Sequence, residues 1–524
     1  MKRLLHIVFY ILLAISAQAQ PTFDLLIKNG LVVDGTGQPR MKIDLGVRDG
    51  KIAVIGGLSG ATAVQTIDAT GKIVCPGFID VHTHIEGSIQ PNPGAANFLF
   101  DGVTSVVTGN CGNSAKDLGA FFQELEKLGI ALNVGALAGH NTIRSEVMGS
   151  VNRAPTEKEL TQMQALMTKA MKDGALGLST GLIYIPGTFA KTDEIVALAK
   201  IAAANQGIYA SHIRHEDHRV FDAVAEAITI GREAKIPVEI SHLKVAGKAS
   251  WGKSDSLLSK LYDYRSAGID VMVDQYPYTA SSTTLSTQLP DWALGGGTDS
   301  LKIRLANAQT KASIVAEMKK MLAESGADNY SFAVIANCPW DTTLNGQSIP
   351  VVTQKSKGST YSLDDEIETI LKLCSRGPRV QMVFHKMGEE DVKKIMNFPF
   401  CMIASDAGVA SFGRSMLHPR AYGTNARVLA EYVREQKIMA LEEAIRKMTT
   451  LPATRFNLSD RGQLHPGKTA DILIFDPNKI TAPATYDQPH AYSTGMEYVF
   501  VNGVAVIEKG KLTEKKPGKI LKRF

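Results

Sequence analysis

Two rhythms of apolar and polar positions divide this chain. Near its start, Phe23-Asp24-Leu25-Leu26-Ile27, Gly30-Leu31-Val32-Val33-Asp34 and Ile52-Ala53-Val54-Ile55 are short runs parted by glycine-rich turns, a pattern that predicts strands and hairpins. The same style returns in Ala470-Asp471-Ile472-Leu473-Ile474-Phe475 and in Tyr498-Val499-Phe500-Val501-Asn502-Gly503. Each set alone is too small for a stable sheet, so 20–75 and 460–524 are expected to combine into one small β-sandwich domain.

Between them, strand and helix patterns alternate. Thr156 with Glu159 forms a capping box ahead of a helix carrying Leu160, Met163, Leu166, Met167 and Met171, and Gly174 is placed to end it. The strand Ala175-Leu176-Gly177-Leu178-Ser179 follows. A helix from about Asp193 closes at Gly207 before the strand Ile208 to His212, and another from about Phe221 precedes the strand Val238 to His242. Strict alternation of this kind predicts an α/β fold, a (β/α)8 TIM-type barrel over 76–459. Nine runs compete for eight barrel places, those ending near His84, Cys111, Gly139, Ser179, His212, His242, Asp274, Phe384 and Asp406, so one belongs elsewhere. The rhythm breaks from about 284 to 378, where Gly295-Gly296-Gly297, a polar helix and scattered prolines read as an insertion over the barrel mouth.

With 524 residues, 44% apolar and 21% charged, the chain can bury a large core and is not disordered. Lys2 and Arg3, an apolar run from Leu4 to Ile15 and the small-residue pattern Ala17-Gln18-Ala19 predict a cleavable signal peptide over 1–19, hence export to a periplasmic or extracellular location. That run is too short to span a bilayer comfortably, so no stable membrane insertion is expected after cleavage. The net charge of +5 falls by two on cleavage, and no basic stripe with interleaved aromatics is present, so nucleic acid is not an expected partner. Five cysteines, Cys75, Cys111, Cys338, Cys374 and Cys401, leave at least one free in an exported chain. Cys111 is the candidate, and the other four are open to disulfides that a sequence cannot pair.

The chemistry gathers at strand ends. His82-Thr83-His84 sets two imidazoles on one face of a strand, able to hold one ion, and Cys111 follows Val106-Val107-Thr108-Gly109-Asn110. Ser211-His212 and Ser241-His242 are matching dipeptides one βα repeat apart, so they occupy equivalent rim positions. Asp406 ends the last run, where it either faces a metal or caps the next helix. A lone cysteine is more often a small core residue, but four histidines at neighbouring rim positions weigh toward a zinc-type set. His140, His215 and His385 are left over. His215 and Glu216 fit either an orienting role behind the metal-bearing strand or a solvated helix start.

These residues carry a resemblance. Pro76 to His84, Gly109-Asn110-Cys111-Gly112, Ser211-His212-Ile213-Arg214, Ser241-His242-Leu243-Lys244, Asp274-Gln275-Tyr276-Pro277-Tyr278 and Ser405-Asp406 resemble the N-acyl-D-amino-acid deacylases (D-aminoacylases) of the amidohydrolase superfamily. Cys111 is the specific mark, since most relatives bridge two metals with a modified lysine on the fourth strand, which this chain lacks. The resemblance implies one tightly held zinc on Cys111, His212 and His242, and a weaker site from His82, His84 and the shared thiolate. It implies that Asp406 takes a proton from the attacking water and returns it to the departing amine. It further implies that Tyr184, Lys244, Tyr276, Ser281 and Arg420 hold the carboxylate of a small-molecule N-acyl amino acid. Packing or surface roles are the alternative for Lys244, Ser281 and Tyr184.

The expected activity is therefore zinc-dependent hydrolysis of the linear amide of N-acyl-D-amino acids. Other amidohydrolases, a cyclic-amide hydrolase of the dihydroorotase kind or a dipeptidase, stand as the alternative within enzymes. A non-catalytic binding module is the alternative outside them, and it is disfavoured because no ligand has been lost. Side-chain preference, stereochemistry, metal count and oligomeric state are open at this level.

Overall fold

A computed structural model describes residues 22–377 and 379–522. The signal-peptide expectation over 1–19 lies outside the described residues. Eight parallel strands form the barrel: Phe78–Asp80, Val103–Thr108, Asn133–Ala136 continuing as Ala138–Gly139, Gly177–Gly181, Ile208–His212, Val238–Ile240, Val271–Gln275 and Cys401–Ile403. The ring closes just beyond the strands, where Asp406 N–H donates to His82 O at 2.8 Å and His84 N–H donates to Ala407 O at 2.8 Å. Every described residue of these strands is buried or nearly so, which is why they read as continuous apolar runs rather than alternating ones.

Helices cover the outside. The capping box forms as expected: Thr156 Oγ1 accepts from Glu159 N–H at 3.3 Å while Glu159 Oε2 accepts from Thr156 N–H at 2.7 Å, and Gly174 ends the helix Glu157–Asp173 in the left-handed region at φ 110°. Met163, Met167 and Met171 face the barrel and are buried. Thr156→Ala is expected to cost about 1 kcal/mol, read as a lower denaturant midpoint at unchanged slope.

The two chain ends meet in the β-sandwich. One sheet has four strands, Thr22–Lys28, Asp44–Arg48, Lys51–Gly56 and Thr62–Asp68. The other has seven and is seamed where Ile73–Pro76 runs antiparallel to Ile472–Phe475. Leu25, Ile27 and Val47 from the first sheet pack with Ile472, Ile474 and Phe500 from the second.

The ninth strand candidate, Gln381–Phe384, is the one outside the barrel. It pairs antiparallel with Ser281–Thr284 and with Ala333–Asn337, so the inserted segment reaches past both sides of 284–378 and carries its own sheet. That sheet and the helices Ala308–Glu324 and Leu363–Arg376 enclose a separate apolar cluster including Leu285, Ile314, Met318, Ile335, Ile370 and Met382. All five cysteines are unpaired thiols, so the disulfides left open for Cys75, Cys338, Cys374 and Cys401 do not form. They are carried by separate elements: the sandwich, the insertion and the eighth barrel strand. No helix among the described residues is long and apolar enough to cross a membrane.

Candidate metal centre

The expected ligands converge at the C-terminal mouth of the barrel, where this architecture carries its chemistry. Cys111 Sγ is the hub: it lies 3.3 Å from His82 Nε2, 3.5 Å from His212 Nδ1 and 3.6 Å from His242 Nε2. The donor atoms of Cys111, His212 and His242 all lie within 4.8 Å of one another, as do those of His82, His84 and Cys111, and those of His82, His242 and Asp406. Burial opposes a thiolate at Cys111, but His82 and His212 overcome it and hold the thiol well below its ordinary range.

The backbone is bent to make this convergence. Cys111, His242 and Asp406 have positive φ (52°, 36° and 51°), an arrangement costing about 1 kcal/mol or more each in a non-glycine residue and concentrated at functional sites. Each leaves its strand by this turn, which swings the side chain over the mouth. Close approach elsewhere requires glycine: a Cβ on Gly181 would stand 2.1 Å from Cys111 O, and one on Gly112 2.2 Å from Asn141 Oδ1.

Further contacts hold the set. Asp274, which the sequence marks as a strand end and as part of the Asp274-Gln275-Tyr276-Pro277-Tyr278 segment without giving it a role, supplies some of them. Its Oδ2 lies 3.3 Å from His82 Nδ1, and its Oδ1 accepts from His242 N–H at 2.9 Å. The Asp406 carboxylate is 3.0 Å from His84 Nε2 and 2.9 Å from Arg420 Nη1. Burial works against its charge, yet Arg420 and then His82 hold it well below the usual carboxylate range. The Arg420 contact is an ion pair without hydrogen-bond alignment, so Nη1 keeps a donor free among the described residues.

The residues expected to bind a carboxylate are not equally placed. Tyr184 and Arg420 line a cavity of about 660 Å³ that also touches His84, Cys111 and Asp406 and runs under the insertion. Arg420 lies over the Tyr276 ring at 4.4 Å, and the buried Tyr276 hydroxyl has no hydrogen-bond partner among the described residues. Lys244 is buried and engaged, its Nζ 2.6 Å from Glu216 Oε1 and 2.7 Å from His242 Nδ1. Ser281 begins the insertion strand opposite Phe384, and the cavity wall there is made by Ser282 and Thr283 instead. Of the spare histidines, His140 pairs with buried Glu194 at 2.9 Å, His215 Nδ1 accepts from Arg219 at 3.1 Å, and His385 lies edge-on to Tyr486. None of the three joins the centre.

One thiolate and neutral imidazoles leaving a corner open suit a catalytic zinc-type ion, and a carboxylate stands beside that corner. Such a donor set on such a barrel defines a metal-dependent hydrolase. Known proteins narrow the class: the model of the amidohydrolase family matches residues 65–294 and 378–507, and its gap coincides with most of the insertion. The chain belongs to the amidohydrolase family. It is 34% identical to the N-acyl-D-glutamate deacylase of Alcaligenes xylosoxydans xylosoxydans over 96% of this chain and 97% of that protein. It is also 34% identical to the D-aminoacylase of the same organism, over 97% and 99%. The crystal structure of N-acyl-D-glutamate deacylase from Bordetella bronchiseptica, complexed with zinc and a phosphonate mimic of the tetrahedral intermediate, aligns with a TM-score of 0.83 at 33% identity. That match covers 96% of this chain and all of the other.

Proposed function

We propose that this protein hydrolyses the linear amide of N-acyl-D-amino acids, releasing a carboxylate and a free D-amino acid. The observation that carries the reading is the meeting of Cys111, His212 and His242 at one point of the barrel mouth with Asp406 alongside. These three residues would hold one zinc tightly, with His82 and His84 sharing the thiolate at a weaker second site. When bound, the ion supplies Lewis acidity toward the acyl carbonyl and a water acidified to a pKa of about 7.

The chain's own residues do the rest. Asp406, kept ionised by Arg420, accepts a proton from the attacking water and delivers it to the departing nitrogen. The unpartnered donors on Arg420 and Tyr276, beside Tyr184, would receive the substrate carboxylate. Lys244 and Ser281 would serve it less directly, since Lys244 is held by Glu216 and Ser281 is off the cavity wall. The insertion roofs the cavity and would limit water around the reacting amide.

The test is a panel of N-acetyl-D- and N-acetyl-L-amino acids, with dihydroorotate as the cyclic comparison. Turnover of the D series is expected, abolished by chelation and restored by zinc. Hydrolysis confined to dihydroorotate would overturn the reading. We also propose export, on the strength of Lys2, Arg3, the apolar run and Ala17-Gln18-Ala19. N-terminal sequencing of the recovered protein should then begin at Gln20.

A further inference from the structure

His418 is a buried histidine on the cavity wall whose two nitrogens are both spent on backbone. Nδ1 accepts from Arg420 N–H at 3.1 Å, and Nε2 lies 2.9 Å from Ala280 O. A backbone N–H only donates and a carbonyl only accepts, so the ring is neutral and carries its hydrogen on Nε2. Burial, with the Arg420 charge nearby, favours that same form.

The partners matter for what they carry. Arg420 opens the helix Arg420–Arg427, and the leading N–H groups of a helix have no partner within it, a place that Nδ1 fills here. Ala280 stands between Tyr276-Pro277-Tyr278 and the insertion strand Ser281–Thr284. The unpartnered donors assigned to the substrate carboxylate, Arg420 Nη1 and the Tyr276 hydroxyl, therefore come from two separate stretches of chain. Two donors can take one carboxylate only if their spacing is held. The His418 ring packs edge-on against Tyr276 at 6.0 Å and Tyr278 at 5.1 Å while Nδ1 pins the other stretch. The bond to Ala280 O locks the ring and leaves Nδ1 as the acceptor.

We infer that His418 is a positioning residue of the carboxylate pocket: its Nδ1 anchors the backbone of Arg420 and so fixes that guanidinium against the Tyr276 ring. The inference rests on the proposed hydrolysis of N-acyl-D-amino acids.

Steady-state kinetics with an N-acetyl-D-amino acid, beside metal analysis, on the wild-type chain and on H418F, H418Q and H418N tests it. H418F keeps a ring but no acceptor, and H418Q keeps a donor toward Ala280 O. H418N does the reverse, because its side-chain oxygen is attached to Cγ as Nδ1 is. H418F and H418Q are expected to raise KM about 10- to 100-fold with kcat changed less and zinc content full. H418N should recover most of that loss. Wild-type KM in H418F and H418Q, a loss in H418N as large as theirs, or a loss confined to kcat would overturn the assignment of His418 alone. A wild-type chain that hydrolyses no N-acetyl-D-amino acid would overturn the proposed function and this inference with it.

Discussion

Asp406→Asn is expected to lower kcat by about 10³- to 10⁴-fold while the protein keeps its zinc. The amide matches the carboxylate in shape and cannot accept the proton that the attacking water must lose. Asparagine also tolerates the left-handed backbone that this position adopts at φ 51°, so the substitution adds no strain. Its losses are the ion pair with Arg420 at 2.9 Å and the contacts with His84 at 3.0 Å and His82 at 3.5 Å, while the set of Cys111, His212 and His242 does not include it. Steady-state kinetics beside metal analysis reads the two effects separately. Near-normal turnover at full zinc content would remove the proton-carrying role.

The second large effect falls on Cys111. Changing it to Ser replaces the only anion among the three tight-site ligands with an alcohol that stays protonated, and shortens the reach toward three imidazoles now 3.3 to 3.6 Å from the sulfur. Zinc affinity should fall by more than about 100-fold, beyond the range seen for residues that only orient ligands. Activity should fall with it. Because serine can adopt the same backbone turn, circular dichroism and gel filtration should be unaltered. A C111S protein that retains stoichiometric zinc after dialysis against buffer would show that the thiolate is not a ligand.

Sequence patterning made the barrel legible because its strands are buried on both faces, and His82, Cys111, His212, His242 and Asp406 stand at or just beyond the C-terminal ends of five of them. It left nine runs for eight places and could not say which lay outside, because the apolar run of Gln381–Phe384 is indistinguishable from a barrel strand. Only its partners, Ser281–Thr284 and Ala333–Asn337, reveal that it lies antiparallel in another sheet. Lys244 lies two residues beyond His242, a spacing that in a strand puts both side chains on one side. The two side chains do touch, but the strand ends at Ile240 and the contact comes from the turn at His242. Glu216 and Asp274 carried weaker signals. An acid after a strand reads equally as a helix start, and an acid inside an apolar strand reveals its function only when the rings of His82 and His242 are seen against it. Ser281 was carried by resemblance alone, and the neighbouring hydroxyls of Ser282 and Thr283 form the wall.

The inserted segment has its own sheet and its own apolar cluster, yet supplies one side of the cavity whose opposite side bears the ligands. Chemistry and selectivity are thereby entrusted to two bodies of protein that solidify around different centres. Drift in the roof can retune which acyl or side-chain groups are admitted while the reactive floor is left undisturbed. Exchanging the roof between relatives is accordingly a practical route to altered substrate range.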